Sequence, residues 1–270
     1  MRALCGLFIA ACSVVSAQVI LVPSIDLGGV VDAASFAKDH PVAAGSMVAI
    51  FGSQLSGPSA IATATPLPYA MADNVSVTFN GMAAPVQYVS PEQINAQVPW
   101  NVLPAGVSGT VNVVVTRSGV SSLPEPVLVS QFAPGVYAAS GHAFAINVTD
   151  PASDRYGSFA APVGSLPGYP AFPAHAGDAL LIYASGLGAV DAPITDGATS
   201  SDVTRKSLTF PAVLIGNVPA VVTFHGLSPQ YPGVYQVNIL VPFGLPGKTV
   251  PLQIQIAGLT TSDAITIAIE

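Results

Sequence analysis

Charge is scarce in this sequence. Asp, Glu, Lys and Arg make up only 8% of 270 residues, with 7 cations against 14 anions and a formal net charge of −7. Arg205-Lys206 is the only adjacent basic pair. Binding a phosphate backbone, or an anionic lipid surface, draws its free energy from clustered cations, so neither nucleic acid nor a membrane surface is an expected partner. No stretch has the Ala, Leu, Glu and Lys periodicity of an amphipathic helix. Cysteine is limited to Cys5 and Cys12, both near the start, which removes thiolate catalysis and thiolate metal sites from the rest of the chain. The four histidines, His40, His142, His175 and His225, have no metal-ligand spacing, and no His-Glu-x-x-His or Gly-x-Ser-x-Gly pattern occurs. Gly247-Lys248-Thr249 imitates the end of a phosphate-binding loop, but Pro242 stands where that motif needs its first Gly and a strand follows it. Neither a cofactor nor a metal is therefore expected. Aromatics are few, 7% with one Trp.

What is there is hydrophobic and heavily punctuated. Apolar residues make up 51%, with 25 Gly and 25 Pro between short apolar runs, the composition of many short strands joined by turns. At the N-terminus, Arg2 precedes an apolar run from Ala3 to Val15, and Val15-Ser16-Ala17 ends in small residues. This predicts a signal peptide over 1–17, cleaved after Ala17, and hence an extracytoplasmic protein. A lipoprotein signal ending at Cys12 is the rival reading. An uncleaved anchor would need an apolar run of roughly 20 residues, which is not present.

Residues 18–44 read as an extended lead-in. The first strand is expected within Gly45 to Leu55, and the same arrangement returns at Gly177 to Leu187. Val75, Val77 and Phe79 alternate onto one face, Asn80-Gly81 predicts a two-residue hairpin turn, and Ala84 to Val89 is expected to return. Ala212 to Ile215, Gly216-Asn217 and Ala220 to Phe224 repeat that hairpin. Further strands are expected at Thr110 to Thr116, Pro126 to Ser130, Val250 to Ile256 and Ala264 to Ile269. Between the units, residues 138–176 hold one expected strand, Ala143 to Val148, and a Gly/Pro-rich loop too long for a simple linker, so it should pack on the second unit.

The most informative repeat joins Tyr88 to Trp100, containing Ser90-Pro91-Glu92-Gln93-Ile94-Asn95-Ala96-Gln97-Val98-Pro99, to Tyr231 to Phe243, which keeps Val237-Asn238 and Val241-Pro242. Six or seven strands per unit predict an all-β chain: two tandem immunoglobulin-like β-sandwich domains after a signal peptide, at 18–137 and 138–270. On these motifs, with Val30 to Phe36 ahead of them, the chain resembles the Solibacter C-terminal domain family and the broader TIG/IPT immunoglobulin-like domains, in two copies. The resemblance implies a secreted or surface β-sandwich and brings no catalytic residues with it.

Asn95 and Asn238 sit among apolar residues, and each is expected to satisfy backbone groups of a neighbouring turn; a ligand contact is the alternative. Trp100, with Phe243 in its place in the second unit, is either a sugar-stacking platform or a plug at a sandwich end. Tyr156, Tyr169 and Phe172, in the connecting loop, are the candidates for exposed ligand-binding aromatics. Asp150, Asp154, Asp191, Asp196 and Asp202 are loop carboxylates that form turns or, together, hold calcium. The expected function is a non-catalytic structural or adhesive module that contacts a protein or polysaccharide at the cell surface. A carbohydrate-binding module accessory to polysaccharide degradation, and an enzyme of unrecognised type, are the alternatives.

Overall fold

The computed structural model describes residues 21–270; the expected signal peptide over 1–17, with both cysteines, lies outside them. Among the described residues the only helical element is a 3-10 turn, Ala72–Asn74, and no helix is long and apolar enough to cross a membrane. The remaining elements are strands around two hydrophobic cores.

The N-terminal half packs two sheets face to face. One runs Ser24–Asp32, Met47–Ser53, Gln93–Gln97, Val86–Val89, Ala60–Ile61; the other runs Val42–Ala43, Glu125–Ser130, Gly109–Arg117, Ser76–Phe79, Met82–Ala84. Alternation puts Ile50, Ile94, Val77, Phe79 and Val113 between the layers, fully buried. Burying a side chain of this size stabilises the fold by about 1.5–3 kcal/mol. Asn80 and Gly81 have φ of 48° and 80° and close the hairpin of Phe79 with Met82, the turn geometry that matches strand twist.

Two expectations are corrected here. The lead-in is an integral strand: Val30, Val31 and Asp32 pair with Ile50, Ala49 and Val48, and all three are buried. The return after the hairpin is also two strands. Met82–Ala84 stays in one sheet, and Val86–Val89 belongs to the other. Pro85, which has no N–H for a ladder, stands at the crossing.

In the C-terminal half the crossing is continuous. Val218–Leu227 pairs through Val218 to Ala220 with Ala212–Ile215, and through Val221 to Leu227 with Tyr235–Leu240. Its strands therefore form one hydrogen-bonded path, from Gly135–Val136 through Ala179–Ser185 to Ala138–Ala139, folded around a core that includes Leu180, Ile182, Ile239, Leu252 and Ile254. Residues 138–176 pack on this half: Ala145–Asn147 pairs with Ala179–Ser185, and Phe159 and Ala174 bridge to Ala171 and Ile269. Ala161, Leu166 and Ala171 form a small satellite core.

Backbone register makes the halves equivalent. Val86 opposes Ala96 and, after a bulge, Tyr88 opposes Asn95; Val222 opposes Ile239 and, after a bulge, Phe224 opposes Asn238. Both asparagines face outward and, contrary to expectation, their side-chain partners among the described residues are not the backbone of a turn. Each accepts an amide bond from the Gln two residues earlier on its own strand, Gln93 Nε2 to Asn95 Oδ1 at 2.8 Å and Gln236 Nε2 to Asn238 Oδ1 at 2.9 Å.

Candidate functional site

The strands Ala179–Ser185, Tyr235–Leu240 and Val218–Leu227 contain no Asp, Glu, Lys or Arg. Alternate residues fill the core and leave a neutral outer face. Cross-strand pairing arranges that face in rows: Tyr183 beside Gln236; Ile146, Leu181, Asn238 and Phe224; Ala179, Leu240 and Val221. Tyr231, from the 228–234 loop, stands edge-on to Tyr183 with ring centres 5.4 Å apart and is 47% exposed. The Tyr183 hydroxyl reaches Gln230 Oε1 at 3.5 Å. Burial, and then Tyr231, push the Tyr183 phenol above its ordinary value, so it is a protonated donor at neutral pH. The face thus offers aromatic surface and three side-chain amides, Gln230, Gln236 and Asn238, each able to donate and accept. On the opposite side of the sheet, in register with Val237, His225 Nδ1 lies 2.7 Å from Ser207 Oγ, and burial, then Lys206, hold that imidazole below its usual range. Local sequence signals were available for the face: Tyr183 at an outward position of an alternating strand, and Gln236-x-Asn238 alternating with Val237 and Ile239.

The aromatics singled out from sequence are not gathered into one surface. Tyr169 is 62% exposed but packs edge-on against Phe159, centres 5.5 Å apart, and Phe159 in turn packs against Phe144. Phe172 is half-buried, with its N–H donating to the Phe159 carbonyl. Tyr156 is exposed in the 150–158 turns and belongs to none of the ring pairs among the described residues.

Trp100 lies at the seam between the halves. Its ring packs against the C-terminal core, its backbone N–H donates to Asp196 Oδ1 at 2.9 Å, and its buried indole Nε1 has no partner among the described residues. A Cβ on Gly45, whose φ is 78°, would lie 2.4 Å from Trp100 ring carbons, so only glycine fits. Beside it, buried Gln97 spans the seam. Its Nε2 donates to Gly45 O at 2.8 Å, and its Oε1 accepts from Gly197 N at 2.6 Å. Sequence reasoning gave Gln97 no role. Ser185 Oγ donates to Asp32 Oδ1 and Gly186 N to Ser46 Oγ, each at 3.0 Å, completing a buried polar stitch.

Two grooves flank the seam. One, of about 580 Å³, includes Trp100, Asn101, Leu103, Val190 and Ile194. The other, of about 600 Å³, includes Asp32, His40, Gly135 and Thr261. Burial raises the Asp32 carboxyl despite its bonds from Ser35, Ser185 and Ala34, and its Oδ2 is buried without a partner among the described residues. The Tyr137 phenol is raised by burial and then by Asp32.

The loop carboxylates serve the fold. Asp150 accepts from Ala152 N, Asp191 from Lys206 N, and Asp196 from Trp100 N. Asp202 grips Arg205 with both oxygens, and that hydrogen bonding holds its carboxyl down at about 2. Among the described residues no group of three or more His, Cys, Asp or Glu is placed to hold a metal ion.

In sequence, residues 36–130 match the IPT/TIG domain family, and no curated protein matches the chain. Among solved structures, the chain is similar to the SGBP-B protein of a Bacteroides ovatus mixed-linkage glucan utilization locus, solved with a mixed-linkage heptasaccharide, at 13% identity and a TM-score of 0.33 over 84% of this chain. It is similar to the Plexin A4 extracellular region at 12% identity and a TM-score of 0.27 over 96% of this chain. It is also similar to SGBP-B from a complex xyloglucan utilization locus in Bacteroides uniformis, at 15% identity and a TM-score of 0.25 over 89% of this chain. The chain spans 42%, 20% and 48% of the lengths of these three.

Proposed function

We propose that this protein is a non-catalytic, extracytoplasmic interaction module of two immunoglobulin-like domains, with the boundary expected at 137/138 moved ahead of Gly135–Val136, which pairs with Ala179–Ser185 of the second, and that its ligand is an uncharged glycan at the cell surface. The observation that carries this reading is the outer face around Tyr183 and Tyr231. Sugar rings present apolar C–H faces and neutral hydroxyls. An aromatic edge-on pair takes the first, and amides, which donate and accept at once, take the second. Strands without a charged side chain neither attract an acidic polymer nor leave an ion to be desolvated when a neutral one binds. The IPT/TIG match over residues 36–130 supports the domain type, and the expected signal peptide supports export.

The test is retention of the purified protein by neutral glucans, xylans and mannans and by acidic pectin in affinity gels. Neutral polymer is expected to retard the native chain. Tyr183→Ala and Tyr231→Ala are each expected to weaken retention at least tenfold, a loss of roughly 1.4 kcal/mol or more, as for an aromatic contact residue. Tyr169→Ala is expected to bind normally, and circular dichroism checks that each variant is folded. Unchanged binding by both face variants, or preference for pectin, would contradict the reading.

A further inference from the structure

The halves differ over most of the repeated stretch, yet the outward-facing groups around the amide pair recur position by position. Phe51 opposes Gln93 as Tyr183 opposes Gln236. Ala49 and Asn95 lie in a row with Tyr88, as Leu181 and Asn238 lie in a row with Phe224. The bulge that turns Tyr88 outward has its counterpart before Phe224, and the two amide bonds agree within 0.1 Å, at 2.8 and 2.9 Å. Each strand aromatic also meets a second ring from a neighbouring loop: Phe36, about half exposed, lies 6.3 Å from Phe51, as Tyr231 lies 5.4 Å from Tyr183. The Met47–Ser53, Gln93–Gln97 and Val86–Val89 strands again contain no charged side chain. Packing does not require this. An outward Gln and Asn add nothing to either core, and neighbouring seam positions have diverged freely, Gln97 to Leu240 and Trp100 to Phe243.

We infer that the outer face of the N-terminal half, built on Phe51, Tyr88, Gln93 and Asn95, is a second binding site for the same class of uncharged glycan, so that the chain is bivalent. This rests on the proposed role of the Tyr183 face. The N-terminal site is the shorter one. Ala49 of its second row is buried, and its third row, Met47 with Gln97, lies against the other half, Gln97 bonded by Gly197 N and Met47 beside Gly233, whereas the matching Ala179–Leu240–Val221 row is open. The loop carrying Tyr231 also touches the N-terminal half: a Cβ on Gly233 would lie 2.6 Å from Gly45 O and 3.2 Å from Gln97 Nε2. Two linked sites that engage one polymer can gain on the order of 10² in apparent affinity over either alone.

Calorimetric titration of the full chain with neutral hexasaccharides of the glucan, xylan and mannan series tests this. Two equivalents per chain are expected. Tyr231→Ala should leave one, Gln93→Ala or Tyr88→Ala should leave the other, and the combined variants should leave none, with thermal melts establishing that each is folded. Binding of the parent polysaccharide should exceed that of the hexasaccharide about 10²-fold in the native chain and fall to the hexasaccharide level in any single-face variant. A stoichiometry of one that Tyr231→Ala removes, and that Gln93→Ala and Tyr88→Ala leave intact, would overturn the second site while the first stands. No binding of any hexasaccharide by the native chain would overturn both.

Discussion

Trp100 and Phe243 follow the same Val-Pro step on equivalent strands, and their surroundings are opposite. Trp100 packs into the seam over Gly45, while Phe243 is 81% exposed with Gly177 beneath it, 3.8 Å from a Cβ placed there. The cause lies elsewhere in the chain. After Ser185 the C-terminal half runs through residues 186–205 before Lys206 bridges to Gly226, where the N-terminal half has only 54–59 before Ala60–Ile61 pairs with Val86–Val89, and Asp196 and Gly197 of that longer loop cover Trp100, Gln97 and Pro85. A residue's role at the end of a sandwich is thus set by what the neighbouring half places over it, and equivalent positions need not share a task.

The comparison predicts unequal costs at matched positions. Trp100→Ala should destabilise the chain by about 3 kcal/mol, the scale for removing a large packed aromatic. Phe243→Ala should cost less than about 0.5 kcal/mol, as for an exposed side chain. Urea denaturation measures both, and equal costs would contradict the burial of Trp100 in the seam. Next, Gln97→Ala leaves the Gly45 carbonyl and the Gly197 N–H buried without partners and should cost about 2 kcal/mol. Leu240→Ala should cost below about 1 kcal/mol, because its side chain is partly exposed.

The smallest effect sharpens a third matched pair. Asp32 and Asn147 occupy equivalent strand positions and each accepts from the backbone N–H two residues on, at 3.0 Å. Only Asp32 can titrate. Its folded-state value is raised by burial, so its stabilising contribution is complete at pH below the ordinary carboxylate range and is lost as pH rises through the raised value. Asp32→Asn should therefore gain stability relative to the native chain between acid and neutral pH. Parallel melting curves for the two across that range would contradict this.

The strands and hairpins were legible because their causes are local. Val75-x-Val77-x-Phe79 alternates, and Asn80-Gly81 and Gly216-Asn217 supply the left-handed backbone that a tight turn needs. The outward direction of Asn95 was less legible because its strand reads as apolar overall; the decisive cue was the spacing Gln93-x-Asn95, repeated at Gln236-x-Asn238. Pairing between distant segments was illegible. Nothing around Ser24 to Asp32 announces a partner in Met47–Ser53, and nothing in Gln97 announces Gly197. The candidate binding aromatics were sought among loops rich in Gly and Pro. The face around Tyr183 comes instead from rows of strands, where neighbours in space are far apart in sequence.

The most direct measurement is amide chemical-shift mapping of the isotopically labelled chain during titration with a neutral hexasaccharide. Perturbations centred on Tyr183, Tyr231, Gln236 and Asn238, with a second set on Phe51, Tyr88, Gln93 and Asn95, are the predicted result. Shifts confined to the Tyr156–Phe172 loop, or to the grooves around Trp100 and Asp32, would contradict the account.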